Sequence, residues 1–181
     1  MKSFFICFVA LILVFSAGCG ETADSGDLAE DIEISDCGGF ESGIVTKLPP
    51  ENDEDPVAEC DQLLIWNYDD STDVLKIVNS KVQLNCCGVH DVSITLENGE
   101  YIYTMLDDQT KGNCGCDCLF DFSANISDVT ENTVKLTVKL SVEIENTDVS
   151  DVWSGTLDLT KKNGTVVVRE RTGDDCSYYP N

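Results

Sequence analysis

The stretch GNCGCDCLFDF, residues 112 to 122, sets Cys114, Cys116 and Cys118 at every second position. Upstream, LNCCGVHD places the adjacent pair Cys86 and Cys87 three residues ahead of His90, the one histidine in the chain. Thiols so concentrated can do three kinds of chemistry. As thiolates they hold soft cations such as zinc or copper(I). As an exposed dithiol they exchange with other disulfides. As oxidised pairs they staple a small domain.

The metal reading uses Cys86, Cys87, His90, Cys114, Cys116 and Cys118. Alternate residues on a regular strand sit about 7 Å apart, too far for neighbouring corners of one tetrahedral site. The chain would have to curl at Gly112 and Gly115, and the Cys-x-x-Cys spacing of structural zinc sites is absent. His90 alone reads as an ordinary loop residue. The redox reading asks for a helix N-terminus or a cation that lowers a thiol pKa. Asp117 and Asp121 lie here instead, and negative neighbours raise it. The staple reading follows from parity: in CGCDCLFDFSANI the three cysteines share a face with Phe120, Phe122, Ala124 and Ile126. That predicts thiols turned towards the core, meeting Cys86 and Cys87. Adjacent residues on a strand point to opposite faces, so each of the pair needs its own partner.

The elements around these residues begin with a secretory segment. Lys2 precedes an apolar run from Phe4 to Phe15, and Ser16, Ala17 and Gly18 lead to Cys19. The run is too short to span a bilayer comfortably. A charged start, an apolar middle and a small-residue end make a signal peptide over residues 1–18. The SAGC sequence resembles a bacterial lipobox, in which the cysteine carries lipid and becomes the mature N-terminus; Ser16 stands where that motif usually has Leu. The resemblance implies lipidation at Cys19, a membrane anchored through lipid and a place in the bacterial cell envelope, at the outer membrane or cell surface. With Cys7 in the signal and Cys19 lipidated, the remaining set is Cys37, Cys60, Cys86, Cys87, Cys114, Cys116, Cys118 and Cys176. An even set in an exported chain reads as a disulfide framework.

The formal net charge of −23 leaves no basic footprint for phosphates, which excludes a nucleic-acid partner. Outside the cell such acidity serves solubility. The DDSTD stretch, Asp69 to Asp73, lacks the glycine and distal glutamate of a calcium loop and reads as a hairpin turn.

Residues 19–36 read as an acidic flexible tether. Residues 37–61 read as a proline-bearing loop region closed by a disulfide, because Cys37 and Cys60 bracket it. Residues 62–181 form the β domain. TVKLTVKLSVEIE alternates apolar and polar from Val134 to Ile144, the sign of a half-buried strand long enough to need a bend or bulge. VSITLENGEYIYTML predicts a type I′ hairpin at Asn98-Gly99, setting Leu96 opposite Tyr101, Ile94 opposite Tyr103 and Val92 opposite Met105. WSGTLDLTKKNGTVVVRE predicts a second hairpin, and QLLIWNY, VLKIVNSKVQL and CLFDFSANI further strands. The fold class is all-β: an antiparallel meander closed as a disulfide-stapled sandwich or small barrel of about seven or eight strands.

LKIVNSKVQLNCCG, CGCDCLFDF and the terminal CSYYPN together resemble a group of exported, mostly lipid-anchored bacterial proteins to which no activity is assigned. The resemblance covers residues 74 to 181 and implies a shared set of Cys86, Cys87, Cys114, Cys116, Cys118 and Cys176. Cys37 and Cys60 are then additional and are expected to pair with each other. Cys86 and Cys87 each take one member of the triple, and Cys176 takes the third.

No serine elbow, phosphate loop or dinucleotide fingerprint occurs, and a nucleophile triad cannot be built around His90. The sequence therefore predicts a non-catalytic envelope lipoprotein without a cofactor, presenting loops on a rigid β scaffold to a protein or glycan partner. The alternatives are a periplasmic zinc or copper binder and a thiol-disulfide oxidoreductase, both built on the cysteine cluster.

Overall fold

A computed structural model describes residues 26–38 and 61–171. The proposed signal, Cys19, Cys60 and Cys176 lie outside the described residues. Among those described, nine strands run in chain order: β1 (Glu30–Ile34), β2 (Gln62–Asp69), β3 (Val74–Asn85), β4 (Val89–Glu97), β5 (Glu100–Asp108), β6 (Asp117–Ile126), β7 (Thr133–Glu143), β8 (Thr147–Asp158) and β9 (Asn163–Arg169). They form two sheets, ordered β1-β6-β3-β2-β9 and β4-β5-β7-β8. The fold is the expected all-β sandwich, stapled by disulfides.

Apolar alternation builds the core between the sheets. Leu64, Leu75, Ile77, Phe122, Ala124 and Ile126 from one sheet meet Ile94, Tyr103, Met105, Leu136 and Val138 from the other, all with about 1% exposure or less. Burying each large apolar side chain is worth roughly 1.5–3 kcal/mol, so this layer dominates stability. The β4–β5 hairpin has the predicted register, with Val92 opposite Met105, Ile94 opposite Tyr103 and Leu96 opposite Tyr101. Asn98 and Gly99 both take positive φ, at 52° and 80°. DDSTD forms the turn joining β2 to β3, where Asp69 pairs with Val74.

β3 changes parity midway. Leu75 and Ile77 point inward on odd positions, Val82 and Leu84 on even ones. The register against β6 slips between Asn79 and Val82, and Lys81 takes φ 61°. Asp121 holds this bulge: its Oδ1 accepts from Ser80 Oγ and Lys81 N, each at 2.8 Å. The bend expected inside β7 corresponds to a register shift at Val138 and Lys139 against β8.

Three features depart from a simple meander. β6 belongs to the opposite sheet from the strands on either side of it in the chain, so β5 and β7 pair in parallel. The predicted β8–β9 hairpin does not form: β9 pairs with β2, and the 3₁₀ turn Leu159–Lys161 carries the chain from one sheet to the other. The tether expected over residues 19–36 contains β1, which pairs with β6. Just before β1, Leu28 N donates to Ile94 O at 2.7 Å, and Ile94 N donates to Asp27 Oδ1 at 2.9 Å. These bonds tie the N-terminal segment across one open side of the sandwich.

Candidate functional site at the cysteine pole

The C-terminal ends of β3, β5 and β7 and the starts of β4, β6 and β8 converge on one pole of the sandwich. Among the described residues, three disulfides lie there. Cys86 is bridged to Cys116 and Cys87 to Cys114, each with Cα atoms 5.7 Å apart. Cys37 is bridged to Cys118, with Cα atoms 5.4 Å apart. The vicinal pair thus takes two members of the triple, each cysteine with its own partner, as expected. The third partner is Cys37, neither Cys176 nor the expected arrangement of Cys37 with Cys60. The cause is β1: pairing Ile34 with Phe122 runs the chain antiparallel past the start of β6 and delivers Cys37 to Cys118. Gly38 N donates to Leu119 O at 3.0 Å and fixes that end.

Cys118 packs against the core with the parity predicted for it. Cys114 and Cys116 do not, because the strand begins only at Asp117 and the chain before it is not extended. Cys116 is exposed and Cys114 half-buried. Gly112 permits the tight approach of this loop, since a Cβ there would fall 2.2 Å from Cys87 O.

Asn85 organises the pole and is 6% exposed. Its Nδ2 donates to Cys114 O at 2.6 Å and to Asn113 Oδ1 at 3.3 Å. Its Oδ1 accepts from Cys87 N at 3.0 Å and Cys114 N at 3.3 Å. One buried amide therefore holds both cysteine segments in register, the use of a fully partnered polar group expected in a low-dielectric setting.

His90 is not a loop residue. It lies in β4 with its ring turned inward, 4.4 Å between centroids from Phe120. Its Nε2 lies 3.1 Å from Asn85 O and 3.3 Å from Asp107 Oδ1. Both neighbours accept, so Nε2 carries the hydrogen. Asp107 Oδ2 accepts from Asn85 N at 3.2 Å and from Gln109 Nε2 at 2.8 Å. Nearby, Lys111 Nζ pairs with Asp108 at 2.8 Å. The lysine, with Thr110, holds the Asp108 carboxyl below the usual carboxylate range.

Among the described residues, the sulfurs of Cys86, Cys114 and Cys116 lie within 4.8 Å of one another. Of the wider metal-ligand set, His90 is directed elsewhere and Cys118 is bridged to Cys37. Sequence reasoning overlooked Asn85 and Asp107. The signal for Asp107 was present, since it shares parity with Tyr103 and Met105 on the inward face of β5.

Fold and bridges together define a disulfide-stapled β-sandwich of an oxidising, extracytoplasmic compartment. The chain matches no family model, no curated protein and no solved structure.

Proposed function

We propose that the protein is a non-catalytic cell-envelope lipoprotein, anchored through Cys19, whose rigid pole presents loops to a protein or glycan partner. The observation that carries this reading is the concentration of three bridges at one end, fixing the 86–88 and 109–116 segments where they meet solvent. Val89, Ile144 and Val149, each 46–53% exposed, lie at or near the same end. Exposed apolar groups beside fixed polar loops suit recognition better than catalysis. The single histidine supports the absence of an active centre, because its hydrogen is engaged by a backbone carbonyl inside the fold. The acidic surface disfavours nucleic acid, and the resemblance to exported, lipid-anchored bacterial proteins agrees with an envelope location.

A soft-metal reading draws on the sulfur triplet of Cys86, Cys114 and Cys116, but it requires both bridges to be opened first, because the thiolate is the ligand. Thiol titration with metal analysis separates the two readings. Intact-mass measurement on protein extracted from membranes tests the anchor: the expected mass is that of a chain beginning at a lipid-modified Cys19 with its remaining cysteines oxidised. The mass of an unmodified chain cut elsewhere would remove the lipoprotein assignment.

A further inference from the structure

The two bridges at the vicinal pair are neighbours: Cys114 Sγ and Cys116 Sγ, which belong to different disulfides, are 3.4 Å apart. That is about van der Waals contact, the separation from which one sulfur attacks another. We propose that Cys86, Cys87, Cys114 and Cys116 form a thiol-disulfide exchange site, which accepts two electrons from an external dithiol and collects them on Cys86 and Cys87. This goes beyond a static scaffold, and it needs only the four sulfurs and a reductant of the dithiol class.

The chemistry balances in two steps. The donor thiolate attacks Cys87 Sγ and breaks the Cys87–Cys114 bond. Its second thiol then resolves the mixed disulfide, leaving the donor oxidised, Cys87 as a thiol and Cys114 as a thiolate. The Cys114 thiolate attacks Cys116 Sγ, the Cys114–Cys116 bond forms as Cys86–Cys116 breaks, and Cys86 leaves as a thiolate that takes up a proton. The two hydrogens given up by the donor are carried at the end by Cys86 and Cys87.

Starting at the other bridge gives the same result. If Cys86–Cys116 opens first, the Cys116 thiolate attacks Cys114 and releases Cys87. Both routes converge because the sulfur contact always joins Cys114 to Cys116. Exposure favours the reaction, since Cys87 and Cys116 are both open to solvent, one on each bridge. Gly115 between the attacking and receiving residues has nothing within 4 Å of a Cβ position, so no neighbouring group crowds that side of the turn. Cys86 and Cys87 lie in the turn between β3 and β4, and consecutive Cα atoms, about 3.8 Å apart, fall short of the usual span of a disulfide, so the two bridge each other with difficulty and their thiols persist.

The test is limited reduction of the purified chain with one equivalent of dithiothreitol. Free thiols are then blocked with one alkylating agent, the remainder reduced fully and blocked with a second. Peptide mapping is expected to find the first label on Cys86 and Cys87 at about tenfold over Cys114 and Cys116, a ratio equivalent to ~30 mV for a two-electron couple. Finding the first label on Cys87 with Cys114, or on Cys86 with Cys116, would show reduction without transfer and overturn the proposal. So would opening of Cys37–Cys118 while both neighbouring bridges stay closed.

Discussion

His90 Nε2 lies 3.3 Å from Asp107 Oδ1, and the two side chains are only 8% and 2% exposed. The ring fills space beside Phe120 while its N–H serves the carbonyl of Asn85, the residue that introduces the vicinal cysteines. Histidine and carboxylate are thus structural parts of the pole.

Replacing His90 should therefore destabilise the domain without any metal or substrate being involved. His90→Ala opens a cavity against Phe120 and removes one of the two donors to Asn85 O, the other being Gly88 N, an expected cost of about 2–4 kcal/mol. Equilibrium urea unfolding of the oxidised protein measures it. A loss under about 0.5 kcal/mol would mean that the pair has no structural role.

Removing the Cys37–Cys118 bridge should be the most costly single disulfide deletion of the three. Its residues are 81 apart in sequence, against 30 and 27 for the other two. Loop-closure entropy grows with that separation, and the double change Cys37→Ala with Cys118→Ala should cost about 4 kcal/mol. Exchange of the β1 amides should accelerate in step, since β1 is largely exposed and has little apolar burial of its own to keep it docked. Unchanged protection in β1 would show that its pairing with β6 suffices.

Stability should fall at both ends of the pH scale, for different reasons. Asp69, held low by Ser71, Asp70 by Lys162, Asp108 by Lys111 and Asp158 by Thr160 all have carboxyl pKa values depressed in the fold. Below the carboxylate range, around pH 4, the unfolded chain takes up protons that the folded one resists. Stability from these groups is present above that range and lost as pH falls through the folded values. Tyr103 is the reverse case, its hydroxyl raised by complete burial while donating to Phe122 O at 3.2 Å. Above about pH 10 the unfolded chain releases a proton that the folded chain retains, so stability declines there. Thermal midpoints across pH should show a neutral plateau with two falling limbs. Tyr103→Phe should flatten the alkaline limb and Asp108→Asn part of the acid one, and limbs unaltered by both changes would contradict the assignment.

How much of this was legible beforehand varies with the physics at each place. The Asn98-Gly99 hairpin was readable to the residue, because turn chemistry and apolar parity specify one register together. Parity failed at Cys114 and Cys116 because period-two reasoning holds only while the chain is extended, and the strand starts at Asp117. It failed differently in β3, where the bulge at Ser80 and Lys81 flips the inward face and depends on a carboxylate 40 residues away, Asp121. The false β8–β9 hairpin had an acceptable turn and two plausible strands. What decided against it was β2, whose free edge pairs with β9. Long-range partners of this kind leave no mark on a local pattern.

The bridge pattern also sets a timetable. Cys37, Cys86 and Cys87 are all made before any of their native partners, which arrive together at Cys114, Cys116 and Cys118. A chain oxidised as it emerges would find only wrong partners for more than half its length. Correct pairing must wait for the second half of the polypeptide, or be repaired after it, so biogenesis depends on when the oxidant meets the chain as much as on the fold itself.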